Sequence, residues 1–513
     1  MNKLKRFVYS KRFLVAIVAV LQILLFFILA KKLYTMGTLF YVLLTVFSVL
    51  VMMYLLEKDN MNRSYKILWM LVMLVFPGGG AILYFFWGDT KLTKKQHVQM
   101  DQIMDRMKKF TGKTSPEALQ AIKDLDENAA KQAVFLEKIA AAPAYQNTST
   151  RYYDMGAALF RDYMQDLRNA KESIFIQYFI IDEGYMWNSV LEVLQQKVKE
   201  GVDVRIVYDG WGCLMDLPEG YEEELRKMGI KAYIFNDVKF SLHIGDYFML
   251  NHRDHRKITV IDSTIGYTGG INLADEYINV IERFGVWKDT GFRIEGDAVW
   301  GLTTTFLNTW EFVTHTKAEY DRFRPKYSCE TDGVVQPYFD TPLDLDNVCE
   351  NTYLSVINNA KKYVYIATPY LVIDNEIITA LEITAKSGVD VRIIVPGIPD
   401  KWYVYYVTKS YYKVLLEAGV KIYEYTPGFI HAKMYVSDDY QAIVGGANTD
   451  FRSMYLNFEN CCSFYGGTIV PEVKADFEDT ISHSRQVTME DVNNISFKNR
   501  ILQVILRIWG PLL

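Results

Sequence analysis

The chain carries two copies of one pattern, and this duplication constrains its fold more than any other feature. Ala170-Lys171 precedes an apolar run at 174–181 that ends in Asp182, and Ala360-Lys361 precedes a run at 364–373 that ends in Asp374. Gly201-Val202-Asp203-Val204-Arg205-Ile206-Val207 is matched by Gly388-Val389-Asp390-Val391-Arg392-Ile393-Ile394, and Gly229-Ile230-Lys231-Ala232-Tyr233 by Gly419-Val420-Lys421-Ile422-Tyr423. The offsets are 190, 187 and 190 residues, so the framework repeats while its loops differ. Apolar runs alternating with helical patterns predict strand, helix, strand, helix, strand in each copy. A period this long is not that of a solenoid. The expected fold class is therefore α/β. Two similar halves, with mixed sheets flanked by helices, pack around a pseudo-twofold axis and follow N-terminal membrane helices.

A second repeated feature lies at the same place in both halves. His255-Arg256-Lys257 is followed by Asp262 and then Gly269-Gly270-Ile271-Asn272, while His431-Ala432-Lys433 is followed by Asp438 and then Gly445-Gly446-Ala447-Asn448. Every position is offset by 176 residues, in a chain with only seven histidines. One such motif is weak, but two in register with matching tails are specific. The segment 257–262 alternates like a strand, which predicts His255 and Lys257 on one face. The chemistry suits a phosphodiester. One imidazole attacks phosphorus, and the other protonates the leaving alkoxide and then deprotonates the incoming hydroxyl. Two lysines and two asparagines stabilise charge on the nonbridging oxygens. Such a site needs no metal or other cofactor, because its lysines supply the positive charge.

The first 90 residues hold three apolar runs, at 13–30, 33–56 and 67–87, the last interrupted by Pro77-Gly78-Gly79-Gly80. Eighteen or more helical residues span the hydrocarbon core at ~1.5 Å each. Lys3, Lys5, Arg6, Lys11 and Arg12 place the N-terminus in the cytoplasm, yet Lys91, Lys94 and Lys95 after the third run favour the same side. Either one run does not cross, or the charge rule fails at one loop; the glycine-interrupted run is a candidate for a kinked or re-entrant helix, and the first run can instead lie in the interface. Charge divides along the chain. Residues 1–96 carry 13 Lys+Arg against 3 Asp+Glu, so a whole-chain net of -5 leaves -15 on the remainder. An acidic body argues against nucleic acid as partner. Five cysteines without paired spacing exclude a disulfide scaffold or a Cys-rich zinc site.

The expected domains are membrane-anchoring helices at 1–96, a solvated helical connector at 97–150 with one helix over 117–141, halves at 151–335 and 336–496, and an amphipathic tail at 497–513. The tail can lie in the bilayer interface or pack on the body. Arg253 and Arg452 can bind a headgroup or neutralise neighbouring acids. The aromatic run at 402–406 can line a lipid entrance or pack as core. His252 is the remaining histidine nearest the motif. His97, His243, His315 and His483 lack any such context.

The paired motifs resemble the phospholipase D superfamily, and more closely the bacterial cardiolipin synthase family. The resemblance covers residues from about 150 to the C-terminus, including Asn251-His252-Arg253-Asp254-His255, Asp275-Glu276-Tyr277, Trp287-Lys288-Asp289-Thr290, Thr368-Pro369-Tyr370 and Leu456-Asn457-Phe458-Glu459-Asn460. The terminal Gly510-Pro511-Leu512-Leu513 and the N-terminal runs look similar too. Both Gly-Gly sites replace the Gly-Ser common elsewhere in the superfamily, at the cost of a hydroxyl donor. The resemblance implies transfer of a phosphatidyl group from one phosphatidylglycerol to a hydroxyl of another, releasing glycerol through a phosphohistidine. His255 is assigned as nucleophile and His431 as general acid and base, with the reverse left open by the symmetry. Lys257, Lys433, Asn272 and Asn448 would bind phosphate, and Asp289 and Glu459 would hold the imidazoles. Asp262 and Asp438 complete the catalytic motifs and brace the lysine strands. The implied setting is the bacterial cell membrane, multi-pass, with membrane phospholipids as partners and the oligomeric state open. The competing readings are a phospholipase D-type hydrolase or nuclease, and an inactive membrane anchor.

Overall fold

The computed structural model describes residues 20–28, 34–58, 61–88, 94–237, 251–327, 329–343 and 346–512. His243, the side chain of His97 and half of the first apolar run (13–19 and 29–30) lie outside the described residues. The chain forms two compact units, the first built on residues through Lys91 and the second on the chain from Leu92 onward.

In the first unit, one helix among the described residues is long and apolar enough to cross a membrane, Gly37–Glu57 within Tyr34–Glu57. The run at 67–87 holds no single helix that is long enough to cross. The helix Arg63–Val75 has 13 residues, about 20 Å at ~1.5 Å each, against the ~30 Å of a hydrocarbon core. It breaks at Phe76-Pro77 because proline cannot continue the ladder, and the chain restarts at Gly79–Leu83. Gly80 packs directly on the Met73 backbone, where a Cβ would stand 2.7 Å from its Cα. The buried Ser48 hydroxyl accepts from Gly78 N at 2.7 Å and ties this bend to the long helix.

The second unit begins with helices that are packed rather than solvated. Lys94–Thr111 sends Met100, Ile103 and Met107 into the main core. The single helix expected over 117–141 is two, Pro116–Leu125 and Glu127–Ala140, because the buried Asp126 takes an extended backbone conformation and caps the second by accepting from Asn128 and Ala129 N–H groups.

Each half then builds one sheet. The first contains β1 (Thr148–Tyr153), β2 (Ser173–Tyr178), β3 (Asp203–Asp209), β4 (Lys231–Phe235), β6 (Ile258–Ile261), β7 (Ile265–Gly269) and β9 (Gly291–Gly296), in the order β1-β9-β7-β6-β2-β3-β4. The second contains β10 (Val334–Asp340), β11 (Tyr363–Ala367), β12 (Asp390–Pro396), β13 (Lys421–Tyr425), β15 (Met434–Ser437), β16 (Gln441–Gly445), β17 (Asn457–Tyr465) and β18 (Ser484–Gln486). Its order is β10-β17-β16-β15-β11-β12-β13-β18. Apart from β18, the two orders are the same. Strands β2, β3 and β4, like β11, β12 and β13, are parallel and joined through helices; the rest of each sheet is antiparallel. This is the mixed α/β duplication expected from the repeat.

Strand alternation sorts the core. Ile174 and Ile176 of β2 face the helices of their own half, while Phe175 faces the other sheet. The inner faces share one core, in which Phe292 and Phe464 meet edge to face with centroids 4.9 Å apart. The helix Val299–Thr314, buried on every side from Val299 to Phe312, joins this core.

Candidate active site

Two very short strands carry the motifs across the axis. β5 (Arg253–Asp254) does not join its own sheet but pairs in parallel with β17 of the second half, and β14 (Gly428–Ile430) pairs with β8 (Val286–Lys288) of the first. The motif backbones are anchored the same way: His255 N donates to Phe458 O at 2.9 Å, and His431 N to Lys288 O at 2.7 Å. The strand expected from the alternation at 257–262 is β6, and residues 255–257 precede it outside any strand. They are an extended crossover between the partner half's sheet and β6, and residues 431–433 are their counterpart before β15.

This crossing exchanges carboxylates. His255 Nδ1 lies 2.9 and 3.0 Å from the Glu459 oxygens, and His431 Nδ1 lies 2.6 Å from Asp289 Oδ2. An ionised carboxylate only accepts, so Glu459 and Asp289 each favour the tautomer that carries the proton on Nδ1 and leaves Nε2 for chemistry. Lys257 Nζ donates to the His255 carbonyl at 2.6 Å, and Lys433 Nζ to the His431 carbonyl at 2.5 Å. Lys433 Nζ also lies 2.7 and 2.9 Å from the two ring nitrogens of His431. All six side chains are buried.

Burial sets the electrostatics. It pulls His255 down to about 4, aided by Lys257 and Lys433 against Glu459. His431 is held well below the ordinary histidine value by burial, then by the Lys433, Lys257 and His255 charges. The Lys257 and Lys433 charges act on both imidazoles, which places the two rings in one electrostatic site. Burial draws Lys257 down to about 8 and Lys433 to about 7, and pushes Asp289 up to about 7. Burial acts on Glu459 in the same sense, but His255 and Lys257 outweigh it and keep Glu459 below the usual carboxylate range. The site thus holds neutral imidazoles and lysines that have lost much of their proton affinity to desolvation. An anionic phosphate would restore it.

The other candidate residues fall into distinct places. Asn272 Oδ1 accepts from Ile180 N, and its amide nitrogen donates to Tyr277 Oη at 2.7 Å. Asn448 donates to Asp450 at 3.0 Å, and its Oδ1 is buried without a hydrogen-bond partner. Asp262 and Asp438 stand at the far ends of β6 and β15 from the lysines. Asp262 accepts from the N–H groups of Lys171, Glu172 and Ser173 at 2.7–2.9 Å, and Asp438 from those of Lys361, Lys362 and Tyr363 at 2.6–3.0 Å. They fasten the start of β2 and of β11 and touch neither histidine. Arg253 is buried beside Asp209 and donates to the carbonyls of His252 and Asn236; Arg452 donates to the Asn251 carbonyl. His252 Nδ1 meets Leu456 O at 3.0 Å.

The Gly-Gly departure has a steric cause at one site. A Cβ on Gly270 would overlap the Asp289 carboxylate, so glycine is what lets that carboxylate reach across to His431. At Gly446 the corresponding approach to Glu459 is 3.3 Å, and a side chain is less obstructed.

The halves differ around their histidines. Tyr277, Trp287 and Phe429 surround His431 with ring centroids 5.4, 5.6 and 5.8 Å away, whereas among the described residues Phe179 alone meets His255, at 4.9 Å. These rings have no sequence signal of their own. Their one trace is that Tyr277, five residues after Asn272, is replaced by Ser453 five residues after Asn448.

Sequence comparison agrees with this geometry. A family described as "Cardiolipin synthase, PLD-like domain" matches twice, at residues 163–283 and 353–481, once in each half. A chain from Bacillus anthracis named cardiolipin synthase 1 is 33% identical over 463 residues, covering 89% of this chain and 90% of that one. The chain belongs to the cardiolipin synthase family. A cardiolipin synthase of Halalkalibacterium halodurans is also 33% identical over 89% of this chain and 90% of its own. An uncharacterised protein of Streptococcus mutans is 40% identical over 89% and 98%. Residues 39–88 match a family described as "Phospholipase_D-nuclease N-terminal". The fold matches that of phosphatidylserine synthase from Haemophilus influenzae with TM-score 0.57 at 14% identity, over 75% of this chain and 100% of that one.

Proposed function

We propose that the protein makes cardiolipin by transferring a phosphatidyl group from one phosphatidylglycerol to the hydroxyl of a second, with release of glycerol. In the first step His255 Nε2 attacks phosphorus. A P–N bond forms, the P–O bond to the glycerol headgroup breaks, and His431 gives its proton to the departing alkoxide. In the second step His431 takes the proton from the hydroxyl of the second phosphatidylglycerol. That oxygen displaces His255, re-forming a phosphodiester. The charge of the bound phosphodiester raises the proton affinity of His431, Lys257 and Lys433 together. Lys257 and Lys433 turn from their histidine carbonyls to the nonbridging oxygens, assisted by the amides of Asn272 and Asn448. Asp289 and Glu459 fix the tautomers and stabilise the imidazolium forms.

The observation that carries this reading is the reciprocal pairing of each histidine with the other half's carboxylate, beside two buried lysines. His255 is the better nucleophile. Its partner Glu459 stays ionised and stabilises the cationic phosphohistidine more than a partner titrating near 7 would. We further propose that the protein is embedded in the cell membrane through Tyr34–Glu57, with the run at 13–30 as a second crossing.

The test is a product assay by mass spectrometry on the full-length protein in phosphatidylglycerol vesicles. Cardiolipin and glycerol are expected in equal amounts without added metal, and His255→Ala and His431→Ala each abolish both. Phosphatidic acid as sole lipid product would make the protein a hydrolase instead.

A further inference from the structure

The helix Phe497–Ile508 has a face the body does not use. Ser496 caps its first turn by accepting from Asn499 N. Gln503 is buried, Leu506 packs against the core of the second half, and the helix lies along Trp402–Ser410. Arg507 fastens its far end, donating to Ser410 O with its guanidinium 4.2 Å from the Tyr411 ring centroid. The opposite face is apolar and open. Phe497, Ile501, Val504, Ile505 and Ile508 recur at helical spacing, with Phe497 79% exposed, and Trp509 follows at the edge. The helix carries Lys498, Arg500 and Arg507 and no acidic residue. At 100° per residue, Lys498 falls on one flank of the apolar stripe, and Arg500 and Arg507 on the other.

We propose that this helix docks the catalytic body flat onto an anionic phospholipid bilayer. Its apolar face would sink into the headgroup boundary while Lys498 and Arg500 on its flanks meet lipid phosphates. A wholly basic helix in a body whose net charge is acidic fits a negative surface. Its supporting helix leads to the site. Trp402 stands exposed at the start of that helix, and Lys401 beside it donates to Tyr370 Oη at 2.6 Å. Tyr370, Lys401, Val404 and Phe429 line one small pocket, and the Phe429 ring lies 5.8 Å from His431. The docking helix would thereby hold the His431 side of the site against the source of its substrate. The inference rests on the reading of that substrate as a membrane phospholipid.

The test uses the full-length protein in vesicles containing phosphatidylglycerol. Cys329, the one cysteine that is not buried, is replaced by serine, and a spin label is placed through Val504→Cys or, as a water-exposed reference, Asp479→Cys. The label at 504 is expected to be shielded from a water-soluble relaxant and accessible to oxygen, unlike that at 479. Ile501→Glu/Ile505→Glu is expected to lower the rate in vesicles about tenfold while retaining the rate in detergent–lipid mixed micelles. A label at 504 as wet as that at 479, a wild-type rate in vesicles, or an equal loss in vesicles and micelles would overturn the proposal. Shielding that persists in detergent with a doubled particle mass would assign the face to a second copy and overturn it as well. Bilayer shielding at 504 in a protein that yields no cardiolipin would leave the docking standing and remove the proposed function.

Discussion

His431 and Asp289, 142 residues apart and on opposite halves, share a hydrogen bond of 2.6 Å, and His255 and Glu459 repeat the relationship in reverse. Neither half can orient its own histidine. The short parallel pairings of β5 with β17 and of β14 with β8 create this exchange. A site assembled this way exists only when both halves are folded against each other.

Asp289→Asn and Glu459→Gln should therefore each lower kcat by about 10²–10⁴-fold, because an amide can present its NH₂ and favour the wrong imidazole tautomer. The thermal midpoint should hold within about 3 °C. Turnover within threefold of wild type in either variant would refute the orienting role.

The lysines set an alkaline limit. Burial lowers Lys257 to about 8 and Lys433 to about 7, so the free enzyme loses both positive charges as pH rises through these values. A pH profile of kcat/KM should fall above about pH 7 and more steeply above about pH 8, while kcat, which reports the phosphate-bound state, should fall at higher pH. A kcat/KM that stays level to pH 9.5 would contradict the phosphate-binding role.

The same burial makes Lys257 costly to fold. Its folded value lies below the unfolded one, so the unfolded chain binds the extra proton between about 8 and 10.5, and this contribution to stability improves as pH rises through that window. Lys257→Met should raise the thermal midpoint by about 2–4 °C at pH 7 and abolish turnover. Calorimetry and the product assay on one preparation decide it, and a lowered midpoint would show that the ammonium stabilises the fold.

Asp262 and Asp438 should separate folding from chemistry. Asp262→Ala leaves three backbone N–H groups without their acceptor and places alanine at a φ of 51°, so a loss of about 2–3 kcal/mol is expected. The folded fraction should keep its kcat. A dead enzyme of unchanged stability would restore Asp262 to the catalytic set.

Much of this molecule can be read without coordinates. The repeat at 170–235 and 360–425 specifies local strand and helix periodicity, and local periodicity is what fixes parallel β–helix–β units. The His, Lys and Asp of each motif are equally visible, because their spacing is a property of one short segment. One reading failed where local pattern competes with packing: the 117–141 helix is divided by a cap at Asp126. The run at 67–87 is broken at Pro77 and folded on Gly80, at the Pro-Gly-Gly-Gly interruption that marked it as a candidate for a kinked or re-entrant helix.

Sequence by itself determined that there would be two α/β halves, each with the histidine and lysine of one repeated motif. Tertiary structure decided which carboxylate serves which histidine, that His431 rather than His255 sits among Tyr277, Trp287 and Phe429, and that Asp262 and Asp438 secure backbone far from the rings. The physical reason is range. Periodicity and turn chemistry act over a few residues, whereas a hydrogen bond across 142 or 204 residues depends on how two sheets pack, which no local pattern encodes.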